Sequence, residues 1–202
     1  MAKQSRQYQF DLSGGHLALD FANTISWRGH PTDREDHLLS PADLVSFAVQ
    51  DKILTQNQAS RVKADARDVN SFRKALSVRE AIYRVFAALA QGKTPSAADV
   101  GAINDCAIEA LRHRQLLRSN GGYRWEWQSN ASRPLDQILW PIVIAAANLL
   151  TSKDVKLVRW CEAPECQWLF LDNSRNRSRR WCDMKVCGNR AKARRHYQRI
   201  RE

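Results

Sequence analysis

The chain has 202 residues, 44% of them hydrophobic, and a formal net charge of +11. That length supports one good-sized core, or one core plus a small module that needs its own staple, and the lack of any run of eighteen apolar residues excludes a membrane-spanning helix. The first residues, MAKQSRQYQFDLSGG, carry no apolar signal-peptide centre, so a cytoplasmic protein is expected.

Along the chain, HLALDFANT places Asp20, Asn23 and Thr24 beside an apolar run. They could line a small-ligand pocket, making the protein a sensor for an unidentified effector, or form a buried polar network. His16 with Asp20, His30 with Asp33, and His37 with Asp36 lack a nucleophile motif or an open metal site, so no catalytic residue and no enzyme are expected. SPADLVSFAV predicts a helix start, with Ser40 as cap, Pro41 in the first turn and Asp43 answering as a capping-box acid. Between Ser71 and Gln91, apolar residues recur at three and four, which predicts a core helix. Thr94 and Pro95 open another helix that contains Cys106. RQLLRSNGGYRWEWQS reads as a hairpin around Asn120-Gly121-Gly122. PLDQILWPIVIAAANLLTS predicts a large helix kinked or split by Pro141. VKLVRW then predicts a strand.

Four of the five cysteines follow. Cys161, Cys166, Cys182 and Cys187 give C-x4-C, fifteen residues, C-x4-C. Two close pairs separated by enough chain for a hairpin let four thiolates converge on a tetrahedral ion, and all-sulfur ligation favours one structural Zn²⁺. Iron–sulfur ligation and redox-active thiols are the other chemistries open to such a set. QWLFLD and RRWC are expected to be two strands joined by NSRNRS, with Trp168, Phe170 and Trp181 as an apolar shell for the metal. After Cys187 a helix is predicted, with Ala193, Tyr197 and Ile200 packing back on the hairpin.

Residues 173–202 hold eleven Lys or Arg against two acids, so +9 of the +11 lies there. Guanidinium groups held on a rigid helix suit phosphate. The candidate nucleic-acid contacts are Arg175, Arg177, Arg179, Arg180, Asn189, Arg190, Lys192, Arg194, Arg195 and Arg199.

Cys187-Gly188-Asn189-Arg190 is the motif that names the CGNR zinc finger, and FLDNSRNRSRRWCDMKVCGNRAKARRH resembles its signature, including Asp172, Ser174, Arg179, Arg180 and Trp181. The match covers roughly Val158 to Arg199. HLALDFANTISWR resembles the opening of the ABATE domain through Leu19, Asp20, Phe21, Asn23 and Thr24. The resemblance implies a bacterial stress-induced transcription regulator whose finger binds DNA. The expected fold is mainly α with small β-hairpins: a helical ABATE-like domain over 1–153, then a four-cysteine ββα finger similar to a treble clef over 154–202. An RNA-binding module, an adaptor gripping an acidic protein, and a homodimer remain open readings.

Overall fold

The computed structural model describes residues 8–64, 69–128 and 134–201, and helices carry most of them. Residues 1–7, part of the stretch read for a signal core, lie outside. The helix start at Ser40 forms as expected: α2 (Pro41–Gln50) is preceded by Ser40, whose Oγ accepts from the Asp43 N–H at 3.4 Å. The Asp43 carboxylate reaches back to accept from the Leu39 N–H and the Ser40 hydroxyl, a reciprocal cap that satisfies donors a helix end leaves open. Ahead of it lie α1 (Leu17–Ala22) and the two-residue strands β1 (Ile25–Ser26) and β2 (Glu35–Asp36). After it comes α3 (Gln56–Ala64), a polar helix with little apolar period to announce it.

The predicted core helix is α4 (Val69–Ala90), burying Phe72, Ala75, Val78, Ile82, Val85 and Phe86 at helical spacing. Next come α5 (Ala97–Leu111), then β3 (Arg114–Ser119) and β4 (Gly122–Trp127), joined at Asn120-Gly121 as the turn signal predicts. α6 (Asp136–Thr151) runs unbroken through Pro141, where a kink or split was expected. Pro141 sits on the half-exposed side, and the buried Ile138, Leu139, Ile142, Val143 and Ala146 hold the helix against the core across it.

The last elements are β5 (Val158–Trp160), β6 (Leu169–Leu171) and α7 (Asn189–Arg201). β6 pairs antiparallel with β5, Trp160 opposite Leu169 and Val158 opposite Leu171. The expected pairing of QWLFLD with RRWC is therefore wrong. RRWC stays irregular because the Arg179 N–H is taken by the Asp172 carboxylate, leaving one bond from the Glu162 N–H to the Arg180 carbonyl.

The two faces of this hairpin serve different cores. Val158, Leu169 and Leu171 point into the main cluster built by α1, α2, α4, α5 and α6, whereas Phe170 packs with Trp168 and the four cysteines. This is the period-2 alternation of a strand with two buried faces. Leu169 is fully buried, which contributes about 1.5–3 kcal/mol to the shared unit. The finger is thus one wall of the helical core.

Candidate metal centre and its basic surround

The free edge of β6 is covered by the GGHLALDFANTISWRG segment. The Asn23 side-chain amide donates to the Leu169 carbonyl (2.8 Å) and its Oδ1 accepts from the Leu169 N–H (3.0 Å), so one buried side chain pairs as a neighbouring strand residue would. The Leu171 N–H donates to the Gly14 carbonyl, and the Trp168 indole N–H donates to the Ile25 carbonyl at 2.7 Å. Tyr83 on α4 donates its hydroxyl to the Gln167 carbonyl. Gly29 lies so close to the loop between the first two cysteines that a Cβ there would be 2.0 Å from the Pro164 carbonyl oxygen.

Asp20 and Thr24 have partners of the same kind. The Asp20 carboxylate accepts from the Gly14 and His16 N–H groups, which fixes the loop that holds Leu171. The Thr24 hydroxyl donates to the Phe21 carbonyl and accepts from Arg79, which is buried and grips Asp36 through two 2.7 Å contacts. Asp20, Asn23 and Thr24 are therefore placed as a buried polar network beneath the finger. Sequence reasoning missed Trp27, Gly29, Arg79 and Tyr83; a glycine two residues after a tryptophan was the local signal of a close approach.

Burial pushes the Asp20 carboxyl up to about 7, helped by the charge of Asp51, itself pushed up to about 6 by burial, while the Gly14, His16 and Gly15 N–H groups pull Asp20 the other way. Between pH 4 and 7 the folded chain therefore keeps a proton that the unfolded chain releases. Stability from this group is present at low pH and lost as pH rises through about 7. Zinc-loaded protein should lose about 1 kcal/mol between pH 6 and pH 8 by this route. In thermal melts across that range Asp20→Asn should flatten the slope; an unchanged slope would assign the dependence elsewhere.

The four cysteine sulfurs lie within 4.8 Å of one another, all buried, with Cys166 to Cys182 at 3.6 Å and Cys182 to Cys187 at 3.8 Å. Four ligands at the usual zinc–sulfur distance of about 2.3 Å on a tetrahedron stand about 3.8 Å apart, so the donor set fits the ion. Hydrogen bonds from the neighbouring thiols draw Cys161 down, and contact with Cys161 above all pushes Cys166 and Cys182 up. Only a cation among them lets all four be anionic. Cys161, Cys166, Cys182 and Cys187 hold one Zn²⁺, and four protein ligands leave no position for water or substrate.

Around the metal, signature residues lock loops. The buried Asp172 accepts from the Ser174 N–H and hydroxyl and from the Arg179 N–H. Burial alone would raise its pKa; these bonds and the Arg179 charge outweigh that and lower it. Arg179 donates to the Cys182 carbonyl and lies over the Phe170 ring. Arg180 pairs with Glu162 and Arg194 with Glu165, while Arg190 stacks on Trp27 at 4.2 Å, tying the start of α7 to the helical domain. Asn189 donates to the Lys185 carbonyl. Trp27, Trp168 and Arg190 also border a cavity of about 110 Å³ beside the sulfurs of Cys166, Cys182 and Cys187, well below the roughly 300–1,000 Å³ of ligand pockets.

Arg175, Arg177, Lys192, Arg195 and Arg199 are exposed and have no acidic partner among the described residues. The expected packing of the α7 apolar stripe does not occur: Tyr197 is 69% and Ile200 67% exposed. α7 is held by Arg190 and Arg194, and it buries none of its own residues.

Four sulfurs at zinc spacing, two from the loop between β5 and β6 and two from the segment that leads into α7, define a structural zinc finger, here fused to a helical domain. A family model described as "Putative stress-induced transcription regulator", the ABATE domain, matches residues 15–153, and the CGNR zinc finger matches residues 158–200. The chain belongs to the ABATE family and ends in a CGNR zinc finger; it is a zinc-binding protein whose family is described as regulatory. No curated protein matches it. No helix among the described residues is long and apolar enough to cross a membrane.

Proposed function

We propose that this chain is a DNA-binding transcription regulator whose zinc finger lays the outer face of α7 along duplex phosphates. The observation that carries the reading is the arrangement of unpaired cations. Lys192, Arg195 and Arg199 fall at i, i+3 and i+7, one stripe of a helix, and are not the residues that hold α7 to the protein, which are Arg190 and Arg194. The unpaired Arg177 borders a neighbouring cleft with Arg180, which is paired to Glu162, and Arg180 and Arg195 both border the cleft beneath α7, so positive charge continues from helix to loop. Order is supplied by the metal and by the Trp27 stack. The reading assigns no catalytic step to the chain and places it in the cytoplasm, where DNA is met.

Phosphate contact releases counterions, so affinity should fall with salt at a log–log slope of about −0.9 per contact. Five contacts imply a loss of several hundred-fold, roughly, from 50 to 200 mM salt. Zinc-loaded protein titrated onto pooled genomic duplexes should show this slope. The triple variant Lys192→Glu, Arg195→Glu, Arg199→Glu should lose at least about 100-fold in affinity and shed about three units of slope magnitude. Equal affinity of the variant, or preference for an RNA competitor, would overturn the reading.

A further inference from the structure

The β3–β4 hairpin has no buried residue on either strand. A two-stranded ribbon is marginal in water, and a purely structural one gains nothing from exposed aromatic rings. Yet Tyr123 is 73%, Trp125 56% and Leu116 55% exposed. Register puts Leu116 opposite Trp125 and Arg118 opposite Tyr123, so these four share one face. Among the described residues the ring contacts that anchor the ribbon lie at its base, Trp127 against Trp140 of α6 and His113 stacked on Trp140 at 4.1 Å.

Charge selects the kind of partner. Residues 112–127 contain Arg112, Arg114, Arg118 and Arg124 against the single acid Glu126. Arg114 lies over the Trp125 and Trp127 rings, 5.3 and 5.0 Å from their centroids. Neither Arg114 nor Arg118 pairs with an acid among the described residues. A second copy of this face would set Arg114 and Arg118 against their like, whereas a polyanion offering flat faces meets both the arginines and the rings.

Spacing narrows it further. Tyr123 and Trp125 are two residues apart on one strand, about 6.8 Å, twice the roughly 3.4 Å between stacked bases of a duplex strand. A duplex keeps its base faces covered by their neighbours; an extended unpaired strand presents one face per ring. We propose that the β3–β4 ribbon is a second nucleic-acid site that binds single-stranded DNA, stacking bases on Tyr123 and Trp125 while Arg114 and Arg118 meet the phosphates. The site is separate from α7 and stands whether or not α7 grips a duplex.

The test uses the full zinc-loaded chain with a fluorescent oligo-dT, an oligo-rU of equal length and a duplex. Tyr123→Ala with Trp125→Ala should weaken oligo-dT binding about 10- to 100-fold, leaving duplex affinity within about threefold. Tyr123→Phe with Trp125→Phe, which keeps the rings and the ribbon, should restore most of the oligo-dT affinity. The α7 triple variant should keep its oligo-dT binding while losing the duplex, so failure at one surface is read apart from failure at the other. Unchanged oligo-dT affinity in the double alanine variant overturns the proposal. So does a preference for oligo-rU, or a wild-type dimer that the double alanine variant converts to monomer.

Discussion

Replacing Cys182 by Ser is expected to release the metal and to lower the thermal midpoint of the whole chain, beyond its last fifty or so residues. Cys182 stands 3.6 and 3.8 Å from two of its partner sulfurs, and its carbonyl also accepts from Arg179. Loss of one thiolate from a closed four-sulfur site removes most of the binding free energy, which is folding free energy wherever the site does not pre-exist in the unfolded chain. The consequence spreads because β6 faces both cores: Leu169 and Leu171 lie in the helical cluster while Phe170 lies among the cysteines. With free zinc at about a thousand times the dissociation constant, losing the site costs about 4 kcal/mol. For a chain of this size that is a drop of about 8–16 °C in midpoint. Metal content and calorimetry on the same samples check it. A variant that keeps one zinc per chain contradicts the four-ligand site. One that loses zinc but melts like the wild type contradicts the shared hairpin.

Gly29→Val should produce the second large effect, at a residue that binds nothing. A Cβ on Gly29 would stand 2.0 Å from the Pro164 carbonyl oxygen and 2.4 Å from Gln167 Nε2, and the Gly29 N–H already donates to the Glu165 carbonyl. The backbone at Pro164 cannot swing aside as a long side chain could. Trp27 and Gln167, on either side of this contact, both adopt left-handed backbone angles, and such strain persists only where surrounding contacts hold it. Forcing the loop outward should cost about 3 kcal/mol or slightly more, a fall of about 6–12 °C. It should also weaken zinc retention against a chelator, because the displaced loop carries Cys161 and Cys166. Normal melting and normal zinc retention would show that the helical domain does not seat the finger.

These two effects mark what could be read from residues alone. Cysteine spacing displayed the metal set because thiolate chemistry leaves few alternatives. The Ser40–Asp43 cap, the apolar period of α4 and the Asn120-Gly121 turn were legible because each is a local rule with a local cause. The partner of β6 was not, since Val158–Trp160 offers three residues and nothing in them specifies Leu169–Leu171 over RRWC. The α7 stripe shows the limit of periodicity: Ala193, Tyr197 and Ile200 align on one face, but alignment does not place a surface opposite. The arginines were the least legible. Arg179 and Arg199 look alike in sequence, yet one is spent on the Cys182 carbonyl and the Phe170 ring while the other points to solvent.

Asp20, Asn23 and Thr24 gain their meaning from the same junction. Side chains that would suit a ligand pocket instead pair with Gly14, Leu169 and Arg79. The N-terminal motif and the finger signature thus meet as two halves of one interface, which sets the orientation of α7 through Trp27 and Arg190.

The most direct measurement of that unity is a calorimetric scan of the zinc-loaded chain, repeated after stepwise chelation. The shared hairpin predicts one cooperative transition whose calorimetric and van't Hoff enthalpies agree, moving down as zinc is withdrawn. Two transitions, with the larger one indifferent to zinc, would mean that the finger hangs from the helical domain as an independent module.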